Sequence, residues 1–244
     1  MSTLALTDVK LLCGAYDFST DANAIALEYA ADLHDATTFG QTTRINKAGL
    51  KSIVASYEGL WDADGVDEPD DVLFGTVGTS SVPVTIGPTG GADGEIAYIF
   101  RSIQTEYRPG AQIGELFAFT VSMEGSDGAP LVRSTILHPA TARTATSTGT
   151  GRQLGAVSAA QRLYATLHVL AASGTTPTLD VIVQSAPASN FASPTSRITF
   201  AQKTAVGSEW SSVAGAITDE HFRISYAIGG TNPSFTFLVA VGIA

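Results

Sequence analysis

From Leu50 to Trp61 apolar and polar positions alternate. Lys51, Ile53, Ala55, Tyr57, Gly59 and Trp61 fall on one face, and Leu50, Ser52, Val54, Ser56, Glu58 and Leu60 on the other. A period of two carried by aromatic and β-branched residues predicts a strand. The stretch before it, DATTFGQTTRIN from Asp35 to Asn46, has no such rhythm. Asp35, Thr37, Thr38, Gly40, Gln41, Thr42 and Thr43 favour turns and hydrogen-bond their own backbone, so a polar loop feeds the long strand at Gly49. The same period predicts strands over Leu4–Leu12 and around Ile25, Leu27 and Tyr29. It returns in Ile96, Tyr98, Phe100 and Ser102, and again in Phe117, Phe119, Val121 and Met123. With Arg108–Pro109–Gly110 as the turn, these runs predict a long-armed hairpin over 95–124, followed by an Asp127–Gly128 turn and a strand at Leu131–Leu137. Val82–Ile86 reads as a short strand that Pro83, lacking an N–H, directs to a sheet edge.

One segment departs from strand periodicity. Asp67 or Glu68 can cap a helix, Pro69 suits its first turn, Asp70 and Asp71 complement the dipole, and Gly78 suits its end. This predicts a short helix over about 69–77 that packs Leu73, Phe74 and Val77 on a sheet. His138 to Arg152, HPATARTATSTGTGR, has linker composition. Beyond it, strand-like runs at Leu163–Leu170, Thr178–Gln184, Arg197–Phe200, Ser211–Ile217, Phe222–Ile228 and Phe235–Val241 suit a small sandwich. Ser173–Gly174 and Gly229–Gly230 read as turns between them, and no clean repeat relates the two halves. The expected class is all-β with one short helix. The expected division is a β-sandwich over 1–138, a Thr/Gly-rich linker over 139–152 and a second β-sandwich over 153–244.

The 244 residues are enough for one large or two small cores, and 44% hydrophobic with only 15% charged content fits a β protein with short turns. No apolar run reaches the ~18 residues of a membrane helix. The start, MSTLALTDVK, has no basic n-region and is not read as a secretory signal. Cys13 is the single cysteine, so no intrachain disulfide is expected. The net charge of −10 is uneven: 7 Lys plus Arg against 19 Asp plus Glu up to Ala140, then 6 against 4. Such an acidic first half argues against tight nucleic-acid binding, which needs clustered cations.

Catalytic chemistry finds little purchase. The four histidines, His34, His138, His168 and His221, are widely separated, and no HExxH, CxxC or G-x-S-x-G pattern occurs. His168, between Leu167 and Val169, reads as a strand residue rather than a ligand. The acidic cluster Asp62, Asp64, Asp67, Glu68, Asp70, Asp71 lacks EF-hand spacing and reads as a solvated turn and helix start. The loop at 88–94 has no lysine and reads as a turn rather than a phosphate cradle. Trp61 and Trp210, with Tyr57, Tyr107, Tyr164 and Tyr226, are candidates for a sugar-stacking surface, although such residues more often fill β cores. No enzyme, cofactor or metal site is expected.

The loop with Thr37-Thr38-Phe39-Gly40, then Ala48-Gly49-Leu50-Lys51, then Ser56 to Gly59 with Glu58, resembles the early segment of the major tail tube proteins of long-tailed, siphovirus-type bacteriophages. The likeness covers Ala36 to Asp62 and, more loosely, the order of elements to about Gly128. It implies a tail-tube-type β-sandwich whose copies form hexameric rings that stack into a tube. Genome DNA would pass through that tube without specific binding. The implied partners are further copies of the chain and other tail proteins (tape measure, terminator and distal tail), with no membrane. The implied location is the virion, with assembly in the bacterial host cytoplasm. Asp35, Thr37, Thr38, Phe39, Gly40 and Arg44 become candidates for an inter-subunit loop, and Lys51, Ile53, Tyr57 and Trp61 for an inner-sheet strand. Residues 153–244 would be an outward-facing extra domain. The alternatives are a carbohydrate-binding or adhesive β protein and a capsid decoration protein; assembly state separates them.

Overall fold

Among the described residues the strand-rich periodicity is realised as an almost wholly β chain with a single short helix. A computed structural model describes residues 6–62 and 68–244. Asp64 and Asp67 of the acidic cluster, and Leu4 of the first expected strand, lie outside the described residues. In chain order the elements are β1 Lys10–Cys13, β2 Tyr16–Asp17, β3 Ala22–Asp35, β4 Asn46–Leu60, α1 Pro69–Thr76, β5 Val82–Gly87, β6 Ile96–Gly110 and β7 Ala118–Gly125. They continue with β8 Val132–Arg143, β9 Ser147–Thr148, β10 Arg152–Gln153, β11 Arg162–Ala186, β12 Thr195–Thr199, β13 Gly207–Ala214 and β14 His221–Ile243.

The chain forms two compact units, and they are not its consecutive halves. The larger comprises Met1–Thr20, Val82–Arg101 and Val132–Ala244, and the smaller Asp21–Ser81 and Ser102–Leu131. The expected boundary at 139–152 is therefore corrected. Thr141, Ala142 and Arg143 pair with Phe237, Thr236 and Phe235 of β14, and Ser147 and Thr148 pair with Tyr226 and Ser225. Small residues without periodicity resemble a linker, yet ladder pairing uses backbone groups and needs no bulk.

The larger unit is built on β11 and β14, of 25 and 23 residues, antiparallel along their whole length. Each was expected as two strands with a turn. Gly174-Thr-Thr-Pro177 in β11 and Gly230-Thr-Asn-Pro233 in β14 instead lie opposite one another about the Thr175–Thr231 pair. Gly174, Thr176, Gly230 and Asn232 all have positive φ, at 114°, 47°, 111° and 50°. Glycine takes this conformation without strain, and the extra residue it inserts bends a strand. Because the bulges are paired, both strands bend together and the ladder folds back. Leu163, Leu167 and Val169 from one half then share a core with Leu179, Val181 and Val183 from the other, closed by Phe222, Ile224, Phe235, Phe237 and Val239 of β14. Full burial stabilises each such side chain by about 1.5–3 kcal/mol. The other face of the ladder sets Leu238 and Ala240 against Leu12, Ile99, Val132 and Ile136.

Strand order in this unit is β12-β11-β14-β8-β6-β5-β1-β2, with β13 also on β11 and β9 and β10 on β14. β5 is thus internal rather than at an edge. Pro83 is tolerated because it stands second in the strand, and its carbonyl accepts the Gly14 N–H at 2.9 Å.

In the smaller unit the order is β3-β4-β7-β6, all antiparallel. Ile53, Ala55 and Tyr57 of β4 and Phe119, Val121 and Met123 of β7 are buried. The helix is tied to β6 through Gln104, whose amide donates to the Leu73 carbonyl at 2.8 Å and whose side-chain oxygen accepts from Thr76 at 2.7 Å. It buries Pro69, Val72 and Leu73, whereas Phe74 and Val77 are 77% and 49% exposed. The expected Leu73–Phe74–Val77 face is corrected: the helix rotates to bring Val72, not Phe74, inward. Glu68 is the N-cap but makes no side-chain cap. β6 runs through Pro109 to Gly110, so the hairpin turn falls at 111–117 rather than at 108–110.

A Cβ at Gly174 would stand 2.7 Å from the Asn232 carbonyl oxygen, and one at Gly230 2.7 Å from that of Thr176. Gly174→Ala and Gly230→Ala should each lower the free energy of urea unfolding by about 2 kcal/mol or more. Gly207→Ala, where a Cβ meets nothing within 4 Å, should change it by no more than about 0.5 kcal/mol.

Candidate assembly surface

The β3–β4 hairpin outruns its sheet. Of β4, only Val54–Leu60 pair with β7, and among the described residues β3 pairs with β4 alone. Beyond Val54 the hairpin continues as a two-stranded ribbon, in which residues 28–52 are exposed except for half-buried Ala36 and Gly49. An isolated two-stranded ribbon is marginal in water. Its own residues nevertheless fix the tip. Asp35 accepts hydrogen bonds from the Thr37 hydroxyl and, at 2.9 Å, from the Thr37 N–H. These two bonds hold the Asp35 carboxyl below its usual pKa. Thr37 Oγ1 accepts the Ile45 N–H at 2.9 Å, and the Ala36 N–H reaches the Ile45 carbonyl at 2.8 Å. Gly40 turns the tip at φ 88°.

This ordered loop holds Phe39 wholly in solvent, at 108% relative exposure. Thr38 and Arg44 are exposed beside it. Leu33 pairs with Ala48, a bulge at Gly49–Leu50 sets Leu50 on the opposite ribbon face, and both leucines are exposed, at 70% and 81%. Among the described residues, every exposed large apolar side chain except Leu6, Ile96 and Val206 belongs to the smaller unit. The concentration of this exposure in one unit makes the smaller unit the candidate assembly surface.

The four candidate strand residues divide. Ile53 and Tyr57, 6% and 1% exposed, belong to the unit's own core, with Tyr57 edge-on to Phe119 at 6.1 Å. Lys51 is exposed, its Nζ 5.5 Å from the Tyr29 ring centroid. Trp61 lies just past β4, edge-on to Phe117 at 5.3 Å. Its indole N–H and the Tyr107 hydroxyl both donate to Asp70 Oδ1, at 3.0 and 2.6 Å. Burial, followed by the Asp70 contact and charge, raises the Tyr107 pKa well above the usual phenol value.

Sequence reasoning missed Ile113 and Leu116, 107% and 76% exposed in the 111–117 loop, because strand periodicity was extended through them. Gly114, with φ 95°, is the signal that separates them from the strand. The remaining aromatics of the sugar-stacking candidate are committed elsewhere: Tyr226 is buried beside His138 and Phe237, and Trp210 packs on Tyr164 at 5.5 Å.

The buried histidines are structural. His168 Nδ1 donates to the Gly14 carbonyl at 2.7 Å, and Nε2 accepts from Thr85 at 2.8 Å. His138 stacks on Phe237 at 4.0 Å and donates from Nδ1 to the Phe237 carbonyl at 3.0 Å. Burial lowers both pKa values to about 4. His34 covers Gly49 in the ribbon, and His221 opens β14. Among the described residues no group of three or more His, Cys, Asp and Glu could hold a metal, and no helix is long and apolar enough to cross a membrane.

No protein-family model and no curated protein matches the chain. Similar chains occur among solved structures. A chain of the virion of a native gene transfer agent particle is 13% identical with a TM-score of 0.38, covering 50% of this chain and 95% of its own. A chain from the tail of the empty gene transfer agent particle, determined with C6 symmetry, has the same identity and score and covers 94% of its own length. The SPP1 Dit protein, described as a paradigm of the hub adsorption apparatus in phages infecting Gram-positive bacteria, is 10% identical with a TM-score of 0.39, covering 98% of this chain and 100% of that one.

Tyr57→Ala should cost about 3 kcal/mol of stability in denaturant unfolding, whereas Phe39→Ala should cost under about 0.5 kcal/mol. Acid should also weaken the fold. His138 and His168 protonate near 4 when folded but near 6.5 when unfolded, so the unfolded chain takes up protons first. Stability is full above pH 6.5 and should fall as pH drops towards 4, by up to about 3 kcal/mol per histidine, read from melting temperature against pH.

Proposed function

We propose that this protein is a structural component of a phage-type tail, and that its copies assemble as stacked hexameric rings forming the tail tube. The observation that carries this reading is the ribbon beyond Val54: a preorganised, two-stranded projection whose apolar side chains find no cover among the described residues. A monomer gains nothing from a long exposed strand edge, which invites pairing with other chains, whereas an assembling protein uses it. Preorganisation by Asp35 and Thr37 reduces the ordering cost on association. The likeness of Ala36–Asp62 to tail tube proteins supports the same role, with Asp35, Thr37, Thr38, Phe39, Gly40 and Arg44 at an inter-subunit contact. Lys51 and Trp61 remain available to a neighbouring copy, and Ile53 and Tyr57 support the strand from inside.

Charge fits a conduit for DNA. The smaller unit holds 15 Asp plus Glu against 4 Lys plus Arg, and the larger 8 against 9. The acidity expected of the first half thus follows the smaller unit, which presents a field that repels phosphate rather than binding it. Other tail proteins are the expected partners, with the virion as location.

Electron microscopy of the purified protein, with a light-scattering mass beside it, tests the reading. Sixfold rings with a central hole, stacking into tubes, are expected. A chain that stays monomeric at high concentration would overturn ring assembly. Glycan binding abolished by Trp61→Ala in such a monomer would establish the adhesive alternative.

A further inference from the structure

The smaller unit is polar along its strands, chemically as well as geometrically. At the ribbon end lie Arg44, Lys47 and Lys51, three of the four Lys and Arg residues of this unit. The acidic groups beside them are Asp32 and Asp35, the latter with an oxygen already engaged by Thr37. At the other end of the same strands the Leu60–Ala118–Gly110 register closes the sheet, and the Trp61 N–H reaches the Phe117 carbonyl at 3.0 Å. Asp62, Glu68, Asp70 and Asp71 gather there around Trp61 and the start of α1, with Glu115 in the adjoining loop. The fourth cation, Arg108, is held by Glu106 at 2.6 Å. Each end also carries a fully exposed apolar side chain, Phe39 at one and Ile113 at the other.

Resting on the tail-assembly reading, we infer that successive copies join head to tail: the ribbon tip of one, with Phe39, Arg44 and Lys47, docks on the acidic end of the next, formed by Trp61, Asp71, Ile113, Leu116 and Glu115. The occupant is a second copy because the two ends complement each other in charge while each repels its own kind. Tip-to-tip contact would oppose cations, and end-to-end contact would oppose carboxylates. A heterologous contact between ends repeats in one direction without closing, which is the geometry of a stack.

A charge swap tests the contact, using side chains that are all exposed. The tip variant Arg44→Glu/Lys47→Glu and the end variant Asp71→Lys/Glu115→Lys should each form rings yet raise the concentration needed for stacking at least tenfold. The chain carrying all four substitutions should stack again near the wild-type concentration. Variants that stack like the wild type, or a fourfold variant no better than either pair, would overturn the contact while leaving ring assembly standing. Cross-linking with a short bis-maleimide is the second readout. Phe39→Cys/Ile113→Cys should give a ladder of linked copies, whereas Phe39→Cys alone should give none; dimers of the single variant would show tip-to-tip contact and overturn the proposal. A wild-type chain that never associates overturns both this contact and the tail reading.

Discussion

Where β11 and β14 cross their midpoints, each backbone passes so close to the other that only a hydrogen fits at Gly174 and Gly230. That close approach lets two strands of more than twenty residues bend in register. A single bulge would have kinked one strand and broken the ladder; two facing bulges keep it paired. The prolines that follow have no N–H to leave unsatisfied, so the loss of regular pairing at the bend is small. From this fold-back come the shared core of Leu163–Val169 with Leu179–Val183 and the edges on which β8, β12 and β13 are laid.

The smaller unit answers a different constraint. Its sheet has an adequate core at Tyr57, Phe119 and Val121, yet β3 and β4 continue beyond any described residue that covers them. Apolar surface such as Leu33, Leu50 and Phe39 left in water opposes folding in a monomer and rewards association. Local hydrogen bonding from Asp35 and Thr37 keeps the tip in one conformation meanwhile, so that association need not first order it.

Electrostatics and burial separate the roles of the two units. Inside the larger unit the buried Thr166–Thr85–His168–Gly14 chain is neutral and hydrogen-bonded, and it stabilises the unit only while the histidine stays unprotonated. Charges such as Arg44, Lys47, Asp71 and Glu115 in the smaller unit are exposed, where single charges add little to stability.

The sequence by itself determined the fold class, the strand alternation of β4, the position of the helix and the polar tip loop. Each follows from periods of two, turn residues or a proline with acidic neighbours inside one short window. Which helix face is buried was not legible, because Val72, Leu73 and Phe74 are comparably apolar and only Gln104 on β6, about thirty positions away, fixes the rotation. The Gly-Thr-x-Pro segments read as turns because a glycine in a bulge and a glycine in a turn look alike until the opposite strand is seen. Tertiary structure alone decided that Thr141–Arg143 pair with β14, that the acidity belongs to a spatial unit rather than a half of the chain, and that Arg44, Lys47 and Phe39 stand at one end of β4 with Asp62, Asp71 and Ile113 at the other. All of these depend on strand register between residues distant in sequence, which local pattern does not encode.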